Sequence, residues 1–211
     1  MTGDQLYTLS TGLLGGNQMD EDIFYSLLNS VKDLREMNRD WMVLRAIDSS
    51  ITFSGSDTYI STKTLPDRFL RTYTFYNQKG ELAGPFIIDS NGSKVELKPI
   101  KFAERYDYRN TEGYYYIDVK NNKIGRTGAT AGTLYLPYLQ GTQDISPTST
   151  WEFPSYAHPL LVFDVVIQQK GGIDWDRINA SQIPYNQNTL KQLESSLDMW
   201  DARLQQAELG V

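Results

Sequence analysis

The chain reads as an α+β protein: a helical body, in which a long N-terminal helix packs with two C-terminal helices, carrying an inserted and mostly antiparallel β region. Three observations predict it. Apolar residues recur at helical spacing near both ends, β-branched and aromatic runs separated by turn signals fill the middle, and the charge divides along the same lines. Residues 1–50 hold 8 acidic and 4 basic groups, 51–150 hold 10 and 12, and 151–211 hold 8 and 4. The two ends resemble each other and the middle differs, which puts the helical body at 1–50 and 151–211 and the β-rich insertion at 51–150.

From Asp20 to Ile47 the apolar positions Phe24, Leu27, Leu28, Val31, Leu34, Trp41 and Leu44 follow a helical period, with Asp20 placed as N-cap, which predicts a long amphipathic helix, whole or broken near its end. The segment before it, Leu9 to Asn17, is punctuated by glycine, and Leu13 and Leu14 are placed to pack on the helix start. Strands are expected near Ile51–Phe53, Phe69–Tyr76, Pro85–Ile88, Lys94–Pro99, Tyr114–Val119 and Thr133–Tyr138. Asn91-Gly92 is a type I′ hairpin signal, and Asn121-Asn122 and Lys79-Gly80 are weaker ones. The polar, breaker-rich stretch Gly141 to Thr150 leads out of the β region. A helix then starts at Pro159, runs to Lys170 and stops at Gly171-Gly172. The last helix, capped by Asn188 or Thr189, repeats Leu190, Leu193, Leu197, Trp200, Leu204 and Ala207 as a heptad seam.

Composition narrows the chemistry. The chain has no Cys and one His, which removes disulfides, thiolate catalysis and His/Cys zinc cages. His158, directly before Pro159, reads as a packing or helix-start residue because no motif partner stands with it. A net charge of −6 disfavours general phosphate binding. The longest apolar run, Pro159 to Ile167, is interrupted by Asp164 and is far short of the ~20 residues of a membrane helix. Met1 to Gln5 shows no secretion signal. No catalytic residue, cofactor or metal ligand is expected.

Four other features bear on function. Asp174-Trp175-Asp176 sets two carboxylates beside a potential sugar platform, but residues two apart point to different sides of a strand or helix. Gly125 to Gly132 lacks both the lysine and the spacing of a phosphate loop. Tyr106, Tyr108 and Tyr114 to Tyr116, with Arg105 and Arg109, combine interface-forming residue types with ordinary sheet packing. Finally, Glu194, Asp198, Asp201, Gln205 and Glu208 form an acidic stripe beside the last seam, while Lys32, Arg35 and Arg39 form a basic stripe on the first long helix. The stripes are complementary within one chain or between neighbouring subunits. With Arg203, these residues make up the candidate interface.

The run Trp151-Glu-Phe-Pro-Ser-Tyr-Ala-His-Pro-Leu-Leu-Val-Phe-Asp-Val-Val, then Lys170 to Asn179, then Leu190 to Leu204, resembles the head-to-tail adaptor proteins of tailed bacteriophages. Arg39-Asp-Trp-Met-Val-Leu-Arg45, Leu65-Pro-Asp-Arg-Phe69 and Phe75-Tyr76 look like the start of the same arrangement. The resemblance implies a structural virion protein of the neck, made in the host cytoplasm and forming a ring of itself, commonly in twelve copies. Portal protein above and a tail or stopper protein below are the implied partners, with DNA passing through unread and no membrane involved. An acidic lumen would let DNA slide. The alternatives are a tail completion or terminator protein of the same virion and a carbohydrate-binding protein.

Overall fold

The computed structural model describes residues 1–14, 16, 18–57, 61–76, 82–169 and 183–209. The chain divides into two compact units, residues 1–44 with 141–211, and residues 45–140. Both change-points fall earlier than 50/51 and 150/151. Arg45 already begins a strand, and the polar stretch after Gly141 hydrogen-bonds into the first unit: Ile145 N donates to Asn29 Oδ1 at 2.7 Å and Thr142 N to Glu36 Oε2 at 3.0 Å.

The first unit opens with α1 (Gly3–Leu13), where Thr2 and Gln5 form a reciprocal capping box. Its first amides find further acceptors, Gly3 N on Ser149 O and Asp4 N on Pro147 O, both at 3.0 Å. These bonds anchor α1, which takes in Leu9 to Leu13 of the glycine-punctuated segment. In α2 (Glu21–Met37) Asp20 caps by accepting from Ile23 N at 3.2 Å, and Phe24, Leu28 and Val31 turn inward. Next come α3 (His158–Gln169) and α4 (Ile183–Leu209). Helix α3 buries Leu160, Leu161, Val162 and Val165 completely, so its apolar residues run round the helix, as befits an element packed against α1, α2 and α4. Each such side chain contributes about 1.5–3 kcal/mol by leaving water. The ring pair Trp151 and Phe153 stacks at 4.2 Å, and Trp41 meets Phe153 edge-on at 5.2 Å.

Among the described residues the second unit holds twelve strands. β1 (Arg45–Asp48), β2 (Thr52–Phe53), β3 (Thr62–Thr64) and β4 (Phe69–Thr72) are followed by the two-stranded ribbon β5 (Phe75–Tyr76) and β6 (Leu82–Ala83). Then come β7 (Phe86–Ile88), β8 (Lys94–Glu96), β9 (Lys98–Pro99), β10 (Tyr114–Asp118), β11 (Lys123–Arg126) and β12 (Gly132–Gln140). The longest strand, β12, is the spine of a six-stranded sheet: its first residues pair with β2 and β7, its last with β1 and β4, and β8 adds beyond β7. A second sheet runs β3-β11-β10-β9, with β9 parallel to β10 and the rest antiparallel. Ile87, Leu134 and Leu136 from the first sheet and Tyr115 and Ile124 from the second share one core. At Gly125 a Cβ would lie 2.3 Å from the Tyr116 ring, so only glycine lets that ring lie across the strand.

The expected fold class is therefore corrected. Among the described residues strands outnumber α-helices twelve to four, and ten of the strands form two sheets that share a core of their own. A helical body with an inserted β region does not describe that arrangement. The first long helix does break before Ile47: Asn38 caps α2, Met42–Leu44 form a 3-10 turn, and Arg45 to Asp48 pair with Leu139 to Leu136. Trp41 and Leu44 are buried through that turn, which mimics the continued helical count. The Asn91-Gly92 hairpin forms between β7 and β8, but only Gly92 takes a positive φ (79°). A type I′ turn needs two such residues; here Gly92 N bonds Asp89 O, and the Asp89 carboxylate collects the amides of Asn91 and Ser93. Helix α4 begins at Ile183 rather than at Asn188 or Thr189, with Pro184 in the first turn where its missing N–H costs nothing. Lys79-Gly80, Gly171-Gly172 and Asp174-Trp175-Asp176 lie outside the described residues.

Candidate functional site

The two charged stripes meet inside one chain. On α2 the Arg35 guanidinium forks onto the Asp164 carboxylate of α3, with Nη2 3.0 Å from Oδ1 and Nε on Oδ2, and reaches Glu194 of α4 at 3.5 Å. One turn later Arg39 contacts Asp198 at 2.6 Å and Asp201 at 3.4 Å while lying 3.7 Å over the Trp41 ring. Asp201 is buried (2 % exposed) and also accepts from Met42 N at 2.8 Å and Gln205 Nε2 at 2.9 Å. It thus fastens the 3-10 turn after α2 to α4. Asp198, by contrast, stays exposed, so its pair is worth little.

Lys32 points inward, not along a surface stripe. It is 1 % exposed, and its ammonium donates to Thr142 O at 3.1 Å between Asp33 at 2.9 Å and Asp144 at 3.7 Å. One turn on, Glu36 is fully buried and accepts three hydrogen bonds, from Thr142 N (3.0 Å), Thr142 Oγ1 (2.5 Å) and Trp151 Nε1 (2.8 Å). Lys32 and Glu36 together hold the start of the 141–150 segment against α2. Of the remaining candidates, Arg203 is exposed on α4, and the side chain of Glu208 lies outside those described.

His158 is buried, with Nε2 2.8 Å from Phe153 O and Nδ1 2.8 Å from the Met1 amino group. The carbonyl requires a donor at Nε2, which leaves Nδ1 to accept from the amine. Burial pushes its pKa below the ordinary value, and the neighbouring amino charge acts in the same direction. A neutral ring with both nitrogens engaged is a packing element. Among the described residues no group of His, Asp and Glu is placed to hold a metal ion, and no helix is long and apolar enough to cross a membrane.

In the 125–132 segment the Arg126 side chain turns inward, 1 % exposed. It donates to Gly128 O, to Ser54 O at 3.2 Å and to Asp57 O at 3.4 Å, and desolvation lowers its pKa. The loop's cation is thereby spent on backbone carbonyls. The tyrosine-dense stretch splits in two: Tyr115 and Tyr116 are core residues, whereas Tyr106 is half exposed beside Arg105, which stacks over Phe102 at 3.8 Å and Tyr106 at 4.2 Å.

Sequence reasoning missed two features. Asp164, noted there only as an interruption of an apolar run, is the principal partner of Arg35. Leu34, counted with the core face of the first helix, is 57 % exposed, together with Ile23 (54 %) and Met37 (44 %). The 23, 27, 34, 37 spacing was legible as a second stripe, but the inward stripe beside it absorbed Leu27 and Leu34. No protein-family model and no curated protein matches the chain.

Proposed function

We propose that this chain is a structural protein of a tailed-phage neck, a head-to-tail adaptor that forms a ring between the portal and the tail or stopper and extends the DNA conduit. The observation that carries the reading is the position of the adaptor-like run: Trp151, Phe153, His158 and Leu160 to Val162 are all buried, at the packing centre of the first unit. These residues of the run hold the unit's packing, while Glu152, Ser155 and Tyr156 of the same run stay exposed. The net charge of −6 supports it, since an acidic lumen passes a polyphosphate without holding it. In this reading the chain performs no chemistry and acts by geometry, presenting one face to the portal and another to the tail.

Imaging of purified particles in which this chain carries an added density label tests the proposal. Label in a ring at the neck, commonly of twelve copies, is the expected result. Label along the tail tube, at the distal tail tip or absent from the particle would contradict it.

A further inference from the structure

The Arg and Asp stripes pair internally, so a ring must be closed by other surfaces, and the first unit carries two. Helix α2 is apolar on its outward face as well as its inward one. Ile23, Leu27, Leu34 and Met37 fall within one arc of about 80° at 100° per residue, and three of them are among the most exposed large apolar side chains described. Their spacing is that of a heptad seam, which selects a helix as partner, and exposed Ser30 at its centre leaves room for close approach. Asp22 and Asp33 border the arc on one side.

The second surface is the outward face of α4. Tyr156 donates its hydroxyl to Ser196 O at 3.2 Å, which holds its ring, 39 % exposed, beside that face. Met199, 54 % exposed, and exposed Arg203 follow within the next two turns, and Lys191 lies exposed one turn before. Tyr, Met and Arg are the residue types enriched at interface centres. The first surface is bordered by acid; on the second, Lys191 and Arg203 supply the base, and the acidic stripe beyond Lys191 is held by Arg35 and Arg39.

We infer that the outward face of α2 in one copy of this chain docks on the Tyr156–Met199–Arg203 face of α4 in the next copy. Asp22 and Asp33 then meet Lys191 and Arg203. Two different patches meeting head to tail generate a ring when the rotation closes. Only ring closure rests on the adaptor reading; the contact itself does not.

The chain has no cysteine, so thiols can be placed on a silent background. Ser30→Cys and Ser195→Cys, both at exposed positions, are combined in one full-length chain and treated, at high protein concentration, with a short bismaleimide. The expected product is a ladder of dimers, trimers and larger species. An equal mixture of the two single variants should stop at dimers. Leu34→Glu or Arg203→Glu added to the double variant should lower the ladder about tenfold, the equivalent of ~1.4 kcal/mol, with the circular dichroism unchanged because neither side chain is buried. Reversal of both members of the other pair, Asp22→Arg with Lys191→Glu, should keep part of the ladder that Lys191→Glu alone lowers. Monomer only, a link within one chain, or dimers from Ser30→Cys alone would each overturn the inference. A ladder from a protein whose loss leaves normal tailed particles would remove the adaptor reading and keep the contact. Tailless particles without a ladder would do the opposite.

Discussion

Removing Glu36 is the sharpest test of how the first unit is held together. Glu36→Ala deletes the acceptor of three buried donors, Thr142 N, Thr142 Oγ1 and Trp151 Nε1, none of which can turn to solvent without opening the packing around α2. A buried donor left without a partner costs about 1–3 kcal/mol, and water entering the space recovers some of that, so the substitution should cost about 3–6 kcal/mol. Total stabilities are about 5–15 kcal/mol, so the loss is a large share. Trp151→Phe, which removes one donor and leaves the carboxylate two, should cost less than half as much. All 4 tryptophans, Trp41, Trp151, Trp175 and Trp200, belong to residues 1–44 and 141–211, so tryptophan fluorescence, excited beyond the tyrosine band, reports this unit alone in a urea titration. A Glu36→Ala midpoint within about 1 kcal/mol of the parent would refute the account of this network.

Leu197→Ala removes a buried residue of the α4 seam and should cost about 2–5 kcal/mol in the same titration; Leu190→Ala and Leu204→Ala, at half-buried positions, should cost less. Asp201→Ala should cost about 1–3 kcal/mol because Met42 N loses its acceptor, while Asp198→Ala, at an exposed ion pair, should stay within about 1 kcal/mol; equal losses would contradict the assignment of Asp201 as the fastening. For His158 the folded pKa lies below the unfolded value, so the unfolded chain takes up the proton first. Stability should therefore be fully present above about pH 6.5 and decline as pH falls toward and through the lower folded pKa, and His158→Asn should flatten that part of the profile. An identical pH profile in the variant would contradict the buried neutral ring.

Where one face of an element is buried and its turn chemistry is local, the sequence was a sufficient guide. β2, β7, β10, β12, the Asp20 cap of α2 and α3 all fall within or near their expected spans. Its failures have long-range causes. α1 depends on acceptors from residues 147–149, far along the chain, and β1 on pairing with β12. β11 carries Gly125 and an inward Arg126, an unlikely pattern for a strand until the Tyr116 ring and the carbonyls of Ser54 and Asp57 are in place. The charged stripes were legible as complementary, and only the packing of α2 against α3 and α4 assigns them to one chain. Lys32 and Glu36 illustrate the limit: by periodicity they border the apolar face, and what buries them is Thr142 and Trp151, more than a hundred residues away.

In the proposed function this chain joins heads to tails. In a phage lacking it, portal-bearing heads should still assemble, because its residues carry no packaging or protease motif, and tails should form but fail to attach. Electron microscopy of such a lysate, with tailed, tailless and free-tail particles counted, is the most direct measurement. The account predicts separate heads and free tails, rejoined when the parent protein is supplied. Normal tailed, infectious particles without it would contradict the account.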